Sequence, residues 1–345
     1  MKNFITRHFS VRQISDLFLC ACVTLLFYGY AADNAVENEL SYYSKTFKFG
    51  TTAEITAALS RIQSRIRTDK EGGKFKEVIK PLYSPEHDVA VLIALFDLTE
   101  KEKLLQYHFA VADIIKKISE KEGNLSRNDT LLIAAGIRII VVGDSAEHNR
   151  LILEFFTDSA KHRDNPAILY EAISAMAFIK PVEHRERLKA LYKENNTESI
   201  RQSVIRAIAA CAVEEDIPFI EKIVYDESES EIVRWVAAVA LKEFAPSKKA
   251  LTILRELFNG ENFNLKSRAL YAMSFFKDED ILPLLIRASR DDRPEMRIQA
   301  IKALAVHNTK EITELLKYRF DFDTDAKVKV EAEIILKERG VITNR

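Results

Sequence analysis

From Ile168 onward, apolar side chains return to the same columns about every 32 residues. One column reads Ile168, Ile200, Val233, Leu265, Met296 and Val328, with steps of 32, 33, 32, 31 and 32. Seven positions further on stand Ala175, Ala207, Ala240, Ala272, Ala303 and Ile335, followed by Met176, Ile208, Leu241, Met273, Leu304 and Leu336. Offsets of 0, 4, 5, 7 and 8 share one face of a 3.6-residue helix, so each copy opens with an amphipathic helix. Offset 4 is mostly small (Ala172, Val204, Ala237, Ala269, Ala300, Ala332) and offset 7 almost pure alanine, which lets neighbouring backbones approach closely.

A second amphipathic helix follows in each copy. Its start is marked at Asp216-Ile217-Pro218 and at Asp280-Ile281-Leu282-Pro283, where an acid at the cap precedes a proline in the first turn. A two-helix unit this short cannot bury its own apolar stripe, whereas stacked copies bury a continuous one. The pattern therefore predicts an all-α fold, an α-solenoid superhelix of stacked antiparallel helix pairs. Only 9 glycines and 8 prolines occur, and no stretch alternates apolar and polar residues for long, so nothing argues for a sheet.

The segments Glu229-Ser230-Glu231-Ile232-Val233-Arg234-Trp235-Val236-Ala237-Ala238-Val239-Ala240-Leu241 and Pro294-Glu295-Met296-Arg297-Ile298-Gln299-Ala300-Ile301-Lys302-Ala303-Leu304 carry an acid, an apolar residue, an arginine and then spaced alanines. In this they resemble the HEAT family, particularly the HEAT-like repeats first described in phycobilin lyases. The resemblance covers residues 165–338. It implies an antiparallel helical-pair superhelix with a binding surface and no active site.

Upstream the period loosens. Leu131 to Val142 and Ala146 to Ala160 read as a helix pair joined by Gly143-Asp144. Asp88 to Leu98 and Lys103 to Glu122 read as a pair with an overlong second helix, ended by Gly123-Asn124. Thr52 to Arg67 and Phe75 to Tyr83 make a weaker first pair. The expected organisation is a leader over residues 1–31, divergent repeats over 32–163, and regular repeats over 164–340 ending in a capping helix stopped by Gly340. No Pro/Ser/Gly-rich linker separates them, which favours one elongated domain.

The leader has the form of a signal peptide. Lys2, Arg7 and Arg12 precede an uncharged run from Leu17 to Ala32, and a cut after Ala31 has small residues at both recognition positions. The alternatives are an uncleaved membrane anchor and a lipoprotein signal with Cys22 lipidated; either would tether the protein to a membrane. Export to the periplasm or cell envelope is the expectation. With the leader go three of 51 basic residues and, in Asp16, one of 52 acids. The remainder stays near neutrality without a local Lys/Arg run, which argues against nucleic acid as a partner. Cys20 and Cys22 belong to the leader, leaving Cys211 alone, with no intramolecular disulfide to form.

Candidate chemistry begins with a basic column directly after the first apolar one: Arg201, Arg234, Lys266, Arg297 and Lys329. It falls inside the apolar arc, where an unpaired cation is costly. With acids such as Glu229, Asp291, Asp292, Asp323 and Asp325 nearby, it reads as a structural ladder bridging carboxylates or helix-end carbonyls of the adjoining repeat; the other reading is a ligand-binding stripe. On the second helices, Glu221, Lys222, Arg255, Glu256, Arg287, Arg290, Lys317 and Arg319 are expected to line the inner curve as a partner-binding surface, although their mixed charges equally suit a solvated face. Asp321-Phe322-Asp323-Thr324-Asp325 starts like a calcium loop, but Ala326 and Ala332 stand where glycine and a bidentate Glu are required, so a solvated turn is expected instead. The histidines are scattered, and no Ser-based elbow, phosphate loop or dinucleotide signature occurs. No catalytic residue, cofactor or metal is therefore expected.

The sequence thus points to an exported, non-enzymatic scaffold that binds protein partners. The repeat resemblance alone implies an alternative, a chromophore- or cofactor-attachment enzyme of the phycobilin-lyase type. A nucleic-acid-binding HEAT protein is the third reading.

Overall fold

The computed structural model describes residues 35–67, 72–121, 123–158, 165–195, 197–276 and 281–342. Among these residues every regular element is helical. The leader lies outside them, and no described helix is long and apolar enough to cross a membrane. The chain divides into two compact units, the first up to Leu151 and the second from Ile152.

The first unit contains α1 (residues 35–49), α2 (Thr52–Ile66), α3 (Gly72–Val78), α4 (Val89–Lys101), α5 (His108–Ser119) and α6 (Arg127–Val141), and α7 (Ala146–Thr157) begins in it. Capping boxes start two of these helices: Thr51 with Glu54 at α2, and Ser126 with Asp129 at α6. Helix α4 packs beside both α2 and α6, and α5 lies against α6. Gly136 permits that last approach, since a Cβ there would stand 2.3 Å from Ile115 Cγ2.

Three features of this unit differ from expectation. Helix α1 places Val36, Tyr43 and Phe47 in the core beside Ile62 and Phe75. The helix expected over Lys103–Glu122 is shorter: Lys103 takes φ 50°, a 3₁₀ turn follows at Leu105–Tyr107, and α5 starts only at His108. The helix expected over Phe75–Tyr83 ends at Val78 and is followed by a 3₁₀ turn at Lys80–Leu82, because Pro81 has no N–H to continue an α-helix.

The second unit is the α-solenoid. Its first helices are α8 (Pro166–Ile179), α10 (Glu198–Ala210), α12 (Glu231–Ala240), α14 (Phe263–Met273), α16 (Pro294–Leu304) and α18 (Ala326–Glu338). Its second helices are α9 (Arg185–Glu194), α11 (Ile217–Tyr225), α13 (Lys248–Asn259), α15 (Leu282–Ala288) and α17 (Lys310–Phe322). Each first helix packs on the first helix of the next repeat, forming a continuous layer. The apolar and alanine columns lie in that seam: Ile168, Val204, Ala207, Ala237, Ala269, Met273, Ala300 and Leu336 are all buried. Fully burying the larger of these side chains contributes about 1.5–3 kcal/mol each. Gly340, at φ 67°, follows α18 in the left-handed conformation that ends helices.

Asp216 is not the helix cap its place before Pro218 suggests, for its side chain makes no cap bond. It is fully buried and turns instead to the preceding repeat, with Arg185 Nη1 at 2.8 Å and Lys189 Nζ at 2.5 Å. The acid of the second start signal, Asp280, lies outside the described residues.

Candidate partner-binding surface

The basic column takes three forms. Arg201 reaches Glu229 of the next repeat at 2.6 Å, donates to the Asn195 carbonyl, and stacks over Tyr192, whose hydroxyl donates to the same carboxylate. Arg297 forms a two-point pair with Asp323 at 3.0 and 2.7 Å and donates to the carbonyls of Asp291 and Asp292. Arg234 and Lys329 donate to backbone carbonyls, those of Val224 and Asp321. The Lys266 ammonium lies over the Phe258 ring, 5.4 Å from its centroid.

The turn at Asp321–Asp325 is only partly solvated. Asp325 caps α18, but Asp323 is buried between Arg297 and Arg319. Burial alone would raise the Asp323 pKa; the hydrogen bonds from Arg297 and from the Asp325 N–H outweigh it and hold the carboxyl below the ordinary carboxylate value. Two repeats are thereby joined by a charge-assisted, two-point contact.

Several residues of the expected second-helix surface are engaged within the protein. Arg319 pairs with Asp323, Arg287 donates to Asn259 and lies over Phe258, Glu256 accepts from Tyr225, and Lys317 pairs with Glu314. Arg255 is partly buried, Glu221 is partly buried, and Lys222 and Arg290 are exposed. Arg287 and Arg290 line one shallow depression, and Arg290 and Arg319 line another. Cys211 is half-buried, its thiol donates to the Ala207 carbonyl, and burial pushes its pKa up, away from nucleophilic thiolate.

The concave apolar surface lies on the other helices. Between α8, α10, α12 and α14 opens a groove of about 550 Å³, whose lining includes Phe178, Ala209, Ala210, Ile232, Trp235, Val239 and Ala240. The small residues of α10 leave the space, and larger apolar ones stand around it. Phe178 is 70% exposed and Ile232 46%. Lys180, Arg206, Lys242 and Arg268 also line it, with Glu243 the single acid among the lining residues. Arg268 sits 5.5 Å from the Trp235 ring centroid, and Lys242 Nζ sits 4.6 Å from that of Phe275. Cations at aromatic faces gain about 0.5–1 kcal/mol at exposed sites. Sequence reading missed this groove because most of its residues, Phe178, Ala210, Ile232 and Trp235 among them, occupy repeat offsets that change from copy to copy, with only Ala240 from the alanine column. The lone tryptophan, facing outward from the helix start, was the available signal.

One convergence in the first unit also escaped the sequence. His108 and His148, 40 residues apart, are both buried, with ring centroids 6.1 Å apart. Burial lowers both pKa values; the Ile140 carbonyl, Glu147 and Asp113 oppose this at His148 without prevailing. Among the described residues, no three His, Cys, Asp or Glu side chains are grouped so as to hold a metal ion.

A family-level sequence model described as HEAT repeats matches residues 153–242 and 250–337. No curated protein sequence matches the chain. Among solved structures, human deoxyhypusine hydroxylase in complex with glycerol is similar at a TM-score of 0.32 and 16% identity, over 84% of this chain and 98% of that one.

Proposed function

The chain belongs to the HEAT-repeat family, and on that premise we propose that it acts as a non-enzymatic protein-binding scaffold, exported to the cell envelope by its leader. The observation that carries this reading is the apolar groove on the first-helix face, with Phe178, Ile232 and Trp235 standing partly or largely exposed around it. Clustered apolar surface of this kind, bordered by polar side chains, marks interaction sites. Its helices are held in register by pairs such as Arg201 with Glu229, so the surface is preorganised and loses little entropy on binding.

Site-specific photo-crosslinking in the native cell tests the reading. A crosslinking residue at Trp235 should yield a discrete protein adduct, and one at Lys222 on the second-helix face should not. Absence of any adduct from groove positions overturns the scaffold reading. Cell fractionation with N-terminal sequencing tests export, with a mature terminus at Ala32 as the expected result.

A further inference from the structure

Resting on the scaffold reading, we propose that the groove between α8, α10, α12 and α14 receives an acidic protein segment that carries a large apolar anchor. The first argument is charge. Among the described residues, no carboxylate lies within 4.0 Å of Lys180, Arg206 or Arg268, and the nearest to Lys242 is Glu243 at 3.7 Å. Arg201 and Arg297, in the same helical layer, are paired at 2.6 and 2.7 Å. Three cations with no carboxylate in reach among the described residues, around an apolar depression, complement a ligand bearing carboxylates, and this complementarity steers encounter and selects partners.

The second argument is shape. The groove is concave between helices, so a flat bilayer would touch the charged border and the protruding Phe178 and Ile232 without reaching the recessed Ala209 and Ala240. Apolar surface also extends past the groove into the next repeat, where the groove's Lys242 lies over the exposed rings of Tyr271 and Phe275. An elongated occupant matches that extension. An aromatic or branched aliphatic side chain entering the groove would act as the anchor that dominates affinity, while acidic neighbours meet the border.

Trp235 is the single tryptophan of the chain, so its emission reports directly on the groove. A tryptophan-free random peptide library, with peptides of about 12 residues, long enough to extend past one pocket, is selected against the purified full-length protein. Recovered peptides should be rich in Asp and Glu around Leu, Ile or Phe, should shift Trp235 emission, and should weaken as salt rises. Their affinity should fall about tenfold or more in the Lys180→Glu/Arg206→Glu/Arg268→Glu variant, a loss on the order of 1.4 kcal/mol. Circular dichroism must show that variant folded; if it is not, the separate variants Arg206→Gln and Arg268→Gln take its place, each with a smaller loss. Recovery of neutral or basic peptides, affinity indifferent to these substitutions, or a stronger Trp235 response to phosphatidylglycerol vesicles or to single-stranded oligothymidine overturns the proposal. A Trp235 crosslink to a partner that survives charge reversal refutes the acidic segment and leaves the scaffold intact; no crosslink at all removes both.

Discussion

Arg297 and Arg268 belong to successive repeats and stand two positions apart in the repeat register, about 200° around the helix. Arg297 is buried, bound to Asp323 through two contacts and to two carbonyls. Arg268 is exposed, rests against Trp235, and has no carboxylate partner among the described residues. One array thus uses the same side chain in two ways, as a fastening between repeats and as an open positive charge beside a groove. The difference lies in what each helix position faces, and burial with paired acceptors separates the structural cation from the available one.

The sharpest way to break the comparison is Arg297→Ala, which leaves the Asp323 carboxylate buried with one partner fewer. Breaking a buried pair from one side costs roughly 3–5 kcal/mol, so chemical denaturation should show a large fall in the unfolding midpoint. A smaller effect is expected of Asp323→Asn, which keeps the shape and removes the charge. The Asp323 pKa is lower folded than its ordinary 3.8, so its contribution is complete above that value and lost as pH falls through the folded pKa. Denaturation measured across acid pH should therefore show the gap between native protein and Asp323→Asn closing below about pH 3.8. The smallest effect belongs to Arg268→Ala: an unchanged melting midpoint would sharpen the distinction, and a drop comparable to that of Arg297→Ala would erase it.

The second unit was legible because its core residues repeat by type. Alanine at offsets four and seven, replaced only by Val204 and Ile335, and a long apolar residue at offset eight state nearly the same packing instruction in every copy, and the helices Glu198–Ala210, Glu231–Ala240 and Pro294–Leu304 lie where that instruction puts them. The first unit was less legible for a physical reason. Helix α1 carries Val36, Leu40, Tyr43 and Phe47 at ordinary helical spacing, but not in the residue types of the repeat columns, so the 32-residue pattern does not announce it. Asp216 misled because an acid before a proline reads as a cap locally, while its actual partners, Arg185 and Lys189, lie 31 and 27 residues upstream. The groove escaped because a depression is made by differences between copies: Ala210 stands where other repeats place Phe178 and Phe275. A method that looks for sameness detects the spine and passes over the hollow.

Lys180 closes α8 in the left-handed conformation, with φ 54° and ψ 55°, a geometry glycine adopts without steric cost and a lysine does not. At that one residue, what suits the chain's conformation and what charges the mouth of the groove call for different side chains. Glycine there would relax the backbone and remove the charge together, so on the proposed reading folding ease and partner capture are set against each other within a single codon.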